Sequence, residues 1–160
     1  MFGVIGGTGL GKIDELIVEK QEIIKTPYGK TSEPLSFGLL GRKKVIFLAR
    51  HGSGHSIPPH LINYQANIWA LSKAGVKNLI GINTVGSIKI DFMPGDFVFP
   101  NQIIDYTHSR EHTFFDGIKH PVKHIDFTNP FNNLLRDRFI HTSNRLKLKS
   151  HTDAIYGCVQ

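Results

Sequence analysis

Lys44-Val45-Ile46-Phe47-Leu48-Ala49-Arg50-His51-Gly52 decides how the rest of the chain is read. Val45 to Ala49 is an unbroken apolar run, and it stops on a cation, an imidazole and a glycine. A continuous run, rather than strict alternation, suits a strand covered on both faces of its sheet. Two other runs have the same form. Phe2-Gly3-Val4-Ile5 leads into Gly6-Gly7-Thr8-Gly9, and Asn78-Leu79-Ile80-Gly81-Ile82 leads into Asn83-Thr84-Val85-Gly86-Ser87. Asp96-Phe97-Val98-Phe99 predicts a fourth strand and residues 155–159 a fifth. Residues 61–74 predict a helix, with Leu61, Tyr64, Ile68 and Leu71 at helical spacing and Gly75 placed to cap it. A second helix is expected from 131 to about 145, with Leu134, Leu135, Arg138 and Phe139 on adjacent faces and Asn129-Pro130 before it. No period is legible between Tyr106 and Phe127. Strands alternating with helices predict an α/β fold.

Composition removes several classes. The 160 residues make one domain's worth of chain, read as a single domain over 1–160. Eleven Phe, four Tyr and one Trp spread along the chain argue against disorder. The single cysteine, Cys158, excludes an internal disulfide framework and any all-cysteine zinc site, and its apolar neighbours predict burial. No apolar stretch approaches the length of a membrane helix. The first residues lack the basic start of a signal peptide, so a cytoplasmic, reducing environment is expected. A net charge of +6 serves solubility first, and an anionic substrate or nucleic acid second. The basic clusters, Gly41-Arg42-Lys43-Lys44 and Arg145-Leu146-Lys147-Leu148-Lys149, lack the interleaved aromatics of a single-strand binder. Neither nucleic acid nor membrane is the expected partner.

Three strand ends carry the candidate chemistry. Glycines at 6, 7 and 9 let backbone amides approach an anion, and Thr8 adds a hydroxyl. The run Gly6-Gly7-Thr8-Gly9-Leu10-Gly11-Lys12 fits a nucleotide P-loop as far as its lysine, but Ile13 stands where a magnesium-binding hydroxyl belongs. Arg50 offers a fork of donors matched to phosphate, and ligands in open α/β sheets sit at the carboxyl ends of strands. His51 adds a second donor. Asn83 and Thr84 add hydroxyl, amide and backbone donors at the same edge. His108-Ser109-Arg110-Glu111-His112 matches an inverted zincin pattern, yet its neighbours show no helical period to bring both imidazoles to one face, so no metal is expected. Tyr64 and Trp69 read as packing residues. Arg50-His51-Gly52 also resembles the histidine phosphatases, which would make His51 a phosphoryl acceptor; here the triplet follows a second predicted strand rather than the first, and Ser53 follows it.

Taken in order, Val4-Ile5-Gly6-Gly7-Thr8-Gly9-Leu10, Leu48-Ala49-Arg50-His51-Gly52 and Asn63-Tyr64-Gln65-Ala66-Asn67-Ile68-Trp69-Ala70-Leu71 resemble the purine nucleoside phosphorylase and methylthioadenosine phosphorylase family. Pro94-Gly95-Asp96 and Asp105-Tyr106-Thr107 continue the match, and Arg110-Glu111-His112-Thr113-Phe114-Phe115 is most similar to the bacterial branch acting on S-methyl-5′-thioinosine. The resemblance implies a mixed, largely parallel central sheet flanked by helices. It also implies a trimeric pentosyltransferase of purine salvage that cleaves purine nucleosides with phosphate and needs no cofactor. It assigns phosphate contacts to Thr8, Arg50, His51, Asn83 and Thr84, with Arg50 and His51 catalytic. It assigns to His124 a reach toward nucleoside bound in a neighbouring subunit. The family's later base-binding segments have no counterpart in these 160 residues, so the expectation is an N-terminal part whose sheet is incomplete on the C-terminal side, weakly stable or oligomeric, a poor binder of phosphate, and inactive alone. The alternatives are the phosphohydrolase using His51 and a truncated paralogue acting only through the subunit interface.

Overall fold

Alternate side chains of the strand at residues 43–49 are buried on opposite faces, as an unbroken apolar run requires. In the computed structural model, which describes residues 1–7, 9–10 and 13–159, Ile46 and Leu48 join one apolar cluster while Val45 and Phe47 join another. The chain divides into two compact units, residues 1–85 and 86–160.

The first unit holds β1 (Phe2–Gly6), β2 (Leu16–Glu22), β3 (Leu35–Leu40), β4 (Lys43–Ala49) and β5 (Asn78–Ile82) in one sheet, ordered β2-β3-β4-β1-β5. β1 runs parallel to both β4 and β5, whereas β3 is antiparallel to β2 and β4. Helix α1 (Tyr64–Lys73) follows two short 3-10 turns, Ser53–His55 and Pro59–Leu61. Asn63 caps it by accepting the Ala66 N–H at 3.0 Å. Its end is a Schellman turn: Gly75 has φ 90, Gly75 N–H reaches the Ser72 carbonyl and Val76 N–H the Leu71 carbonyl.

The expected helix face needs correction. Leu61 lies before the helix and is 66% exposed, and Ile68 is also exposed. The buried stripe is Ala66, Asn67, Ala70 and Leu71. Small side chains let the helix approach Leu35, Ile46 and Leu48 closely, and this packing outweighs the larger apolar residues on the other face. Tyr64 and Trp69 are half-buried.

Strands β2 and β3 were not foreseen. β2 reads Leu-Ile-Val-Glu-Lys-Gln-Glu and buries only Leu16, so composition hides it. The pairing slips between Val18 and Lys20, opposite Gly38, where any Cβ would strike the Ile17 carbonyl.

The second unit holds β6 (Phe97–Val98), β7 (Gln102–Asp105), α2 (Asn133–Arg145), β8 (Ser150–His151) and β9 (Ile155–Cys158). β6 pairs parallel with β8, and β7 with β9. The strand expected at 96–99 shrinks to two residues, and β7 and β8 are additions. No regular element occurs in the described residues between Tyr106 and Phe127. Asn132 caps α2 by accepting the Leu135 N–H at 3.0 Å. Leu134 is exposed, and Ser143 is the one residue of α2 that is buried. Cys158 is half-buried in β9, because that strand pairs with β7 alone among the described residues. Across both units the described pairings are two-thirds parallel, and the class is a mixed α/β fold.

Candidate functional site

The three parallel strands finish level. Gly6 lies in register with Ala49 on one side and Ile82 on the other. The residues that follow, Gly7, Arg50 and Asn83, therefore leave the sheet along one rim. Parallel neighbours bring their carboxyl ends together by construction, so a donor placed after each strand joins the same edge.

Arg50 ties this rim together. Its backbone N–H donates to the Gly6 carbonyl at 3.1 Å. Its Nη1 crosses β1 to donate to the Ile82 carbonyl at 3.1 Å. The guanidinium lies against Gly7, where a Cβ would collide with it. Gly6 is equally crowded, by the Leu10 carbonyl and the Phe47 ring. The glycine pair thus serves close packing as well as turning. Leu10 N–H closes the turn onto the Gly7 carbonyl at 3.0 Å, with Gly9 at φ 79. Thr8, the first hydroxyl expected here, lies outside the described residues.

His51 is 6% exposed. Its Nδ1 is 2.9 Å from the Ile57 carbonyl, and the Ile57 N–H returns a bond to the His51 carbonyl at 2.8 Å. A carbonyl only accepts, so Nδ1 carries the proton and the neutral ring presents its lone pair at Nε2. Nε2 can accept from a protonated phosphate, or donate to it as the imidazolium. The His55 ring stacks on His51 at 4.2 Å between centroids. Asn83 and Thr84 follow β5 and are exposed. Arg50 reaches the residue immediately before them. Sequence reasoning missed Glu33, whose Oε1 accepts the Ser53 N–H beside His51. No spacing rule links residue 33 to residue 53.

His124 belongs to the other unit and lies exposed in the stretch without regular structure. Residues 108–112 are not helical, and Ser109 sits at φ 61. Among the described residues no group of three His, Cys, Asp or Glu is gathered to hold a metal ion. No helix there is long and apolar enough to cross a membrane.

The second unit carries its charges differently. Asp96 accepts from His151 Nε2 at 2.7 Å, Lys149 Nζ at 3.0 Å and the Met93 N–H at 3.0 Å. The His151 bond, aided by the Met93 N–H and Lys149, holds this carboxyl down at about 2. Asp105 is lowered by Thr107, through hydroxyl and N–H, and Asp126 likewise by Thr128. Asp116 is lowered by the N–H groups of Ile118, His120 and Lys119.

Comparison with known proteins follows the same outline. The model of the Phosphorylase superfamily matches residues 1–160. The chain is 46% identical over 159 residues to the S-methyl-5′-thioadenosine phosphorylase of Saccharolobus solfataricus, covering 99% of this chain and 58% of that protein. It is 43% identical over 164 residues to the 6-oxopurine nucleoside phosphorylase of Pyrococcus furiosus, covering 99% and 61%. Among solved structures it superposes on methylthioadenosine phosphorylase from Schistosoma mansoni in complex with adenine, with TM-score 0.91, 30% identity and coverage of 99% and 64%. The chain therefore spans about three-fifths of the length of these curated relatives. With a matching family model along its whole length and a rim of parallel strand ends tied by Arg50, this chain belongs to the Phosphorylase superfamily.

Proposed function

We propose that this chain carries the phosphate-holding part of a purine nucleoside phosphorylase. The observation that carries the reading is Arg50, which lies on Gly7 and reaches the Ile82 carbonyl at the junction of three level strand ends. Its remaining donors, with the amides after β1 and β5, Thr8, His51, Asn83 and Thr84, form a set suited to inorganic phosphate.

Phosphate acts here as co-substrate. The bond from C1′ to the purine nitrogen lengthens through an oxocarbenium-like state, its electron pair leaving with the purine. A phosphate oxygen beside C1′ stabilises the growing positive charge and then forms the new C–O bond. The products are the purine, which takes up a proton, and a ribose 1-phosphate or its 5-methylthio form. Arg50 and His51 serve this step by fixing the phosphate before attack, the contribution that orientation makes to catalysis. No cofactor enters. The substrate class is S-methyl-5′-thioinosine, methylthioadenosine or an inosine-like nucleoside, matching the names of the relatives on both sides of the adenine and 6-oxopurine divide. His124 contributes to nucleoside binding in a neighbouring subunit of a trimer, in the cytoplasm.

The test is phosphate titration followed by backbone amide shifts, beside an assay of purine release. We expect shifts at residues 6–7, 50–52 and 83–84, abolished in Arg50→Met. We expect purine release by the 160-residue chain at background level; any release must require phosphate and vanish in Arg50→Met. A phosphohistidine at His51, or phosphate-independent cleavage, would overturn the reading in favour of a phosphohydrolase.

A further inference from the structure

The segment Asn63-Tyr64-Gln65-Ala66-Asn67 places two asparagines one turn apart at the start of α1, and both reach toward residues 28–32. Asn63 Nδ2 donates to the Tyr28 carbonyl at 2.7 Å. Asn67, 2% exposed, accepts the Ser32 N–H at 2.8 Å and donates to Ser32 Oγ at 2.9 Å. A buried amide is tolerated because its partners are supplied, and the exchange fixes Ser32. The next residue is Glu33, whose Oε1 accepts the Ser53 N–H.

Ser53 sits in an awkward loop. Gly52 has φ 71, Gly54 φ 63 and His55 φ 60, so three of four consecutive residues hold left-handed backbone. The bonds around Ser53 are long, Gly52 N–H to Ala49 at 3.2 Å and His55 N–H to Gly52 at 3.3 Å, whereas the loop's ends are tied by the Ile57 N–H to the His51 carbonyl at 2.8 Å. The same loop ends on Ile57, whose carbonyl receives His51 Nδ1. The His51 ring is thus tied directly to Ile57, while the Ser53 turn between them has only long bonds of its own and is anchored from outside by Glu33.

A carboxylate near an anion site opposes anion binding through its charge. Here its oxygen is committed to an N–H. We propose that Glu33 is a positioning residue for the phosphate site: anchored through Ser32 and Asn67 to α1, it holds the 52–56 loop so that His51 keeps its Nδ1–H on Ile57. The proposal rests on the phosphate reading above and adds a residue that never touches the substrate.

The full chain is the test object, with Glu33→Ala, Glu33→Gln and Arg50→Met. Readouts are the His51 ring-nitrogen resonances, Ser53 amide exchange, the inorganic phosphate dissociation constant and the urea midpoint. In Glu33→Ala we expect His51 to lose its fixed tautomer, Ser53 exchange to rise about tenfold and phosphate binding to weaken about tenfold. The urea midpoint stays near wild type. Glu33→Gln keeps an acceptor oxygen, loses the charge, and binds phosphate at least as well as wild type. If Arg50→Met weakens binding while Glu33→Ala leaves His51 and phosphate affinity unchanged, the positioning role fails and the phosphate reading stands. A fall in urea midpoint that Gln does not rescue assigns Glu33 a merely structural role and also overturns it. If wild type does not bind phosphate, or Arg50→Met binds as wild type does, the phosphate reading fails and takes this proposal with it.

Discussion

The two units solve the problem of holding a chain together by different means. Among the described residues eleven apolar side chains of 1–85 are buried, Leu35, Ile46, Leu48 and Leu71 among them, and none of 86–160 is. The second unit relies on polar ties. Arg136 of α2 donates from Nε to the Pro100 carbonyl at 3.0 Å, and from Nη2 to the carbonyls of Phe99, at 3.1 Å, and Thr152. Asp96 gathers His151, Lys149 and the Met93 N–H. Apolar burial is non-directional and insensitive to pH; charge-assisted bonds are directional and titrate. The contrast teaches that the proposed phosphate rim stands on the unit with a closed core, and that the two units should fail under different stresses.

Truncating the core breaks the comparison most severely. Leu48→Ala should destabilise residues 1–85 by about 2–5 kcal/mol, whereas Leu134→Ala, at a side chain 76% exposed, should stay within about 0.5 kcal/mol. Urea unfolding of both variants checks this, and equal losses would dissolve the distinction. Next comes Arg136→Ala. It leaves three carbonyls without their donor and should cost about 2 kcal/mol, confined to the second unit by amide exchange.

Acid sharpens the contrast further. Among the described residues the carboxyls with lowered values, Asp96, Asp105, Asp116 and Asp126, all lie in 86–160. A carboxyl held below its unfolded value stabilises the fold above that unfolded value, and the contribution disappears as pH falls through the folded one. For Asp96 the window runs from the ordinary 3.8 down to about 2. Amide signals of 86–160 should therefore fade in that window before those of 1–85; simultaneous loss would contradict the assignment.

The smallest expected effect is a gain. Lys147 sits at φ 55 after α2, and its N–H and that of Leu148 close a Schellman turn on Asn144 and Ser143. The equivalent position after α1 is Gly75. Lys147→Gly relieves the left-handed strain and should stabilise the second unit by up to about 1 kcal/mol, read from its urea midpoint. Gly75→Lys should do the reverse in the first.

Much of this was legible in the residues, and the boundary is physical. Unbroken apolar runs at 2–5 and 44–49 announced buried strands, because burial on both faces leaves no room for polar alternation; the run at 78–82 announced a strand too, but β5 lies at the edge of the sheet with Leu79 and Ile82 exposed. The glycines and the arginine that follow announced a donor-rich edge. What residue order alone could not convey was contact across distance. β2 and β3 pair through backbone bonds that charged side chains do not advertise. The face α1 buries was set by how closely Ala66 and Ala70 let it approach the sheet, not by where its largest apolar residues fall. The tie from Glu33 to Ser53 exists because Asn67, thirty-four residues beyond Glu33 in the chain, fixes Ser32 from the helix. Periodicity and composition are local properties and so are written in the sequence; register, helix approach and loop anchorage depend on residues far apart in the chain, and only tertiary packing decides them.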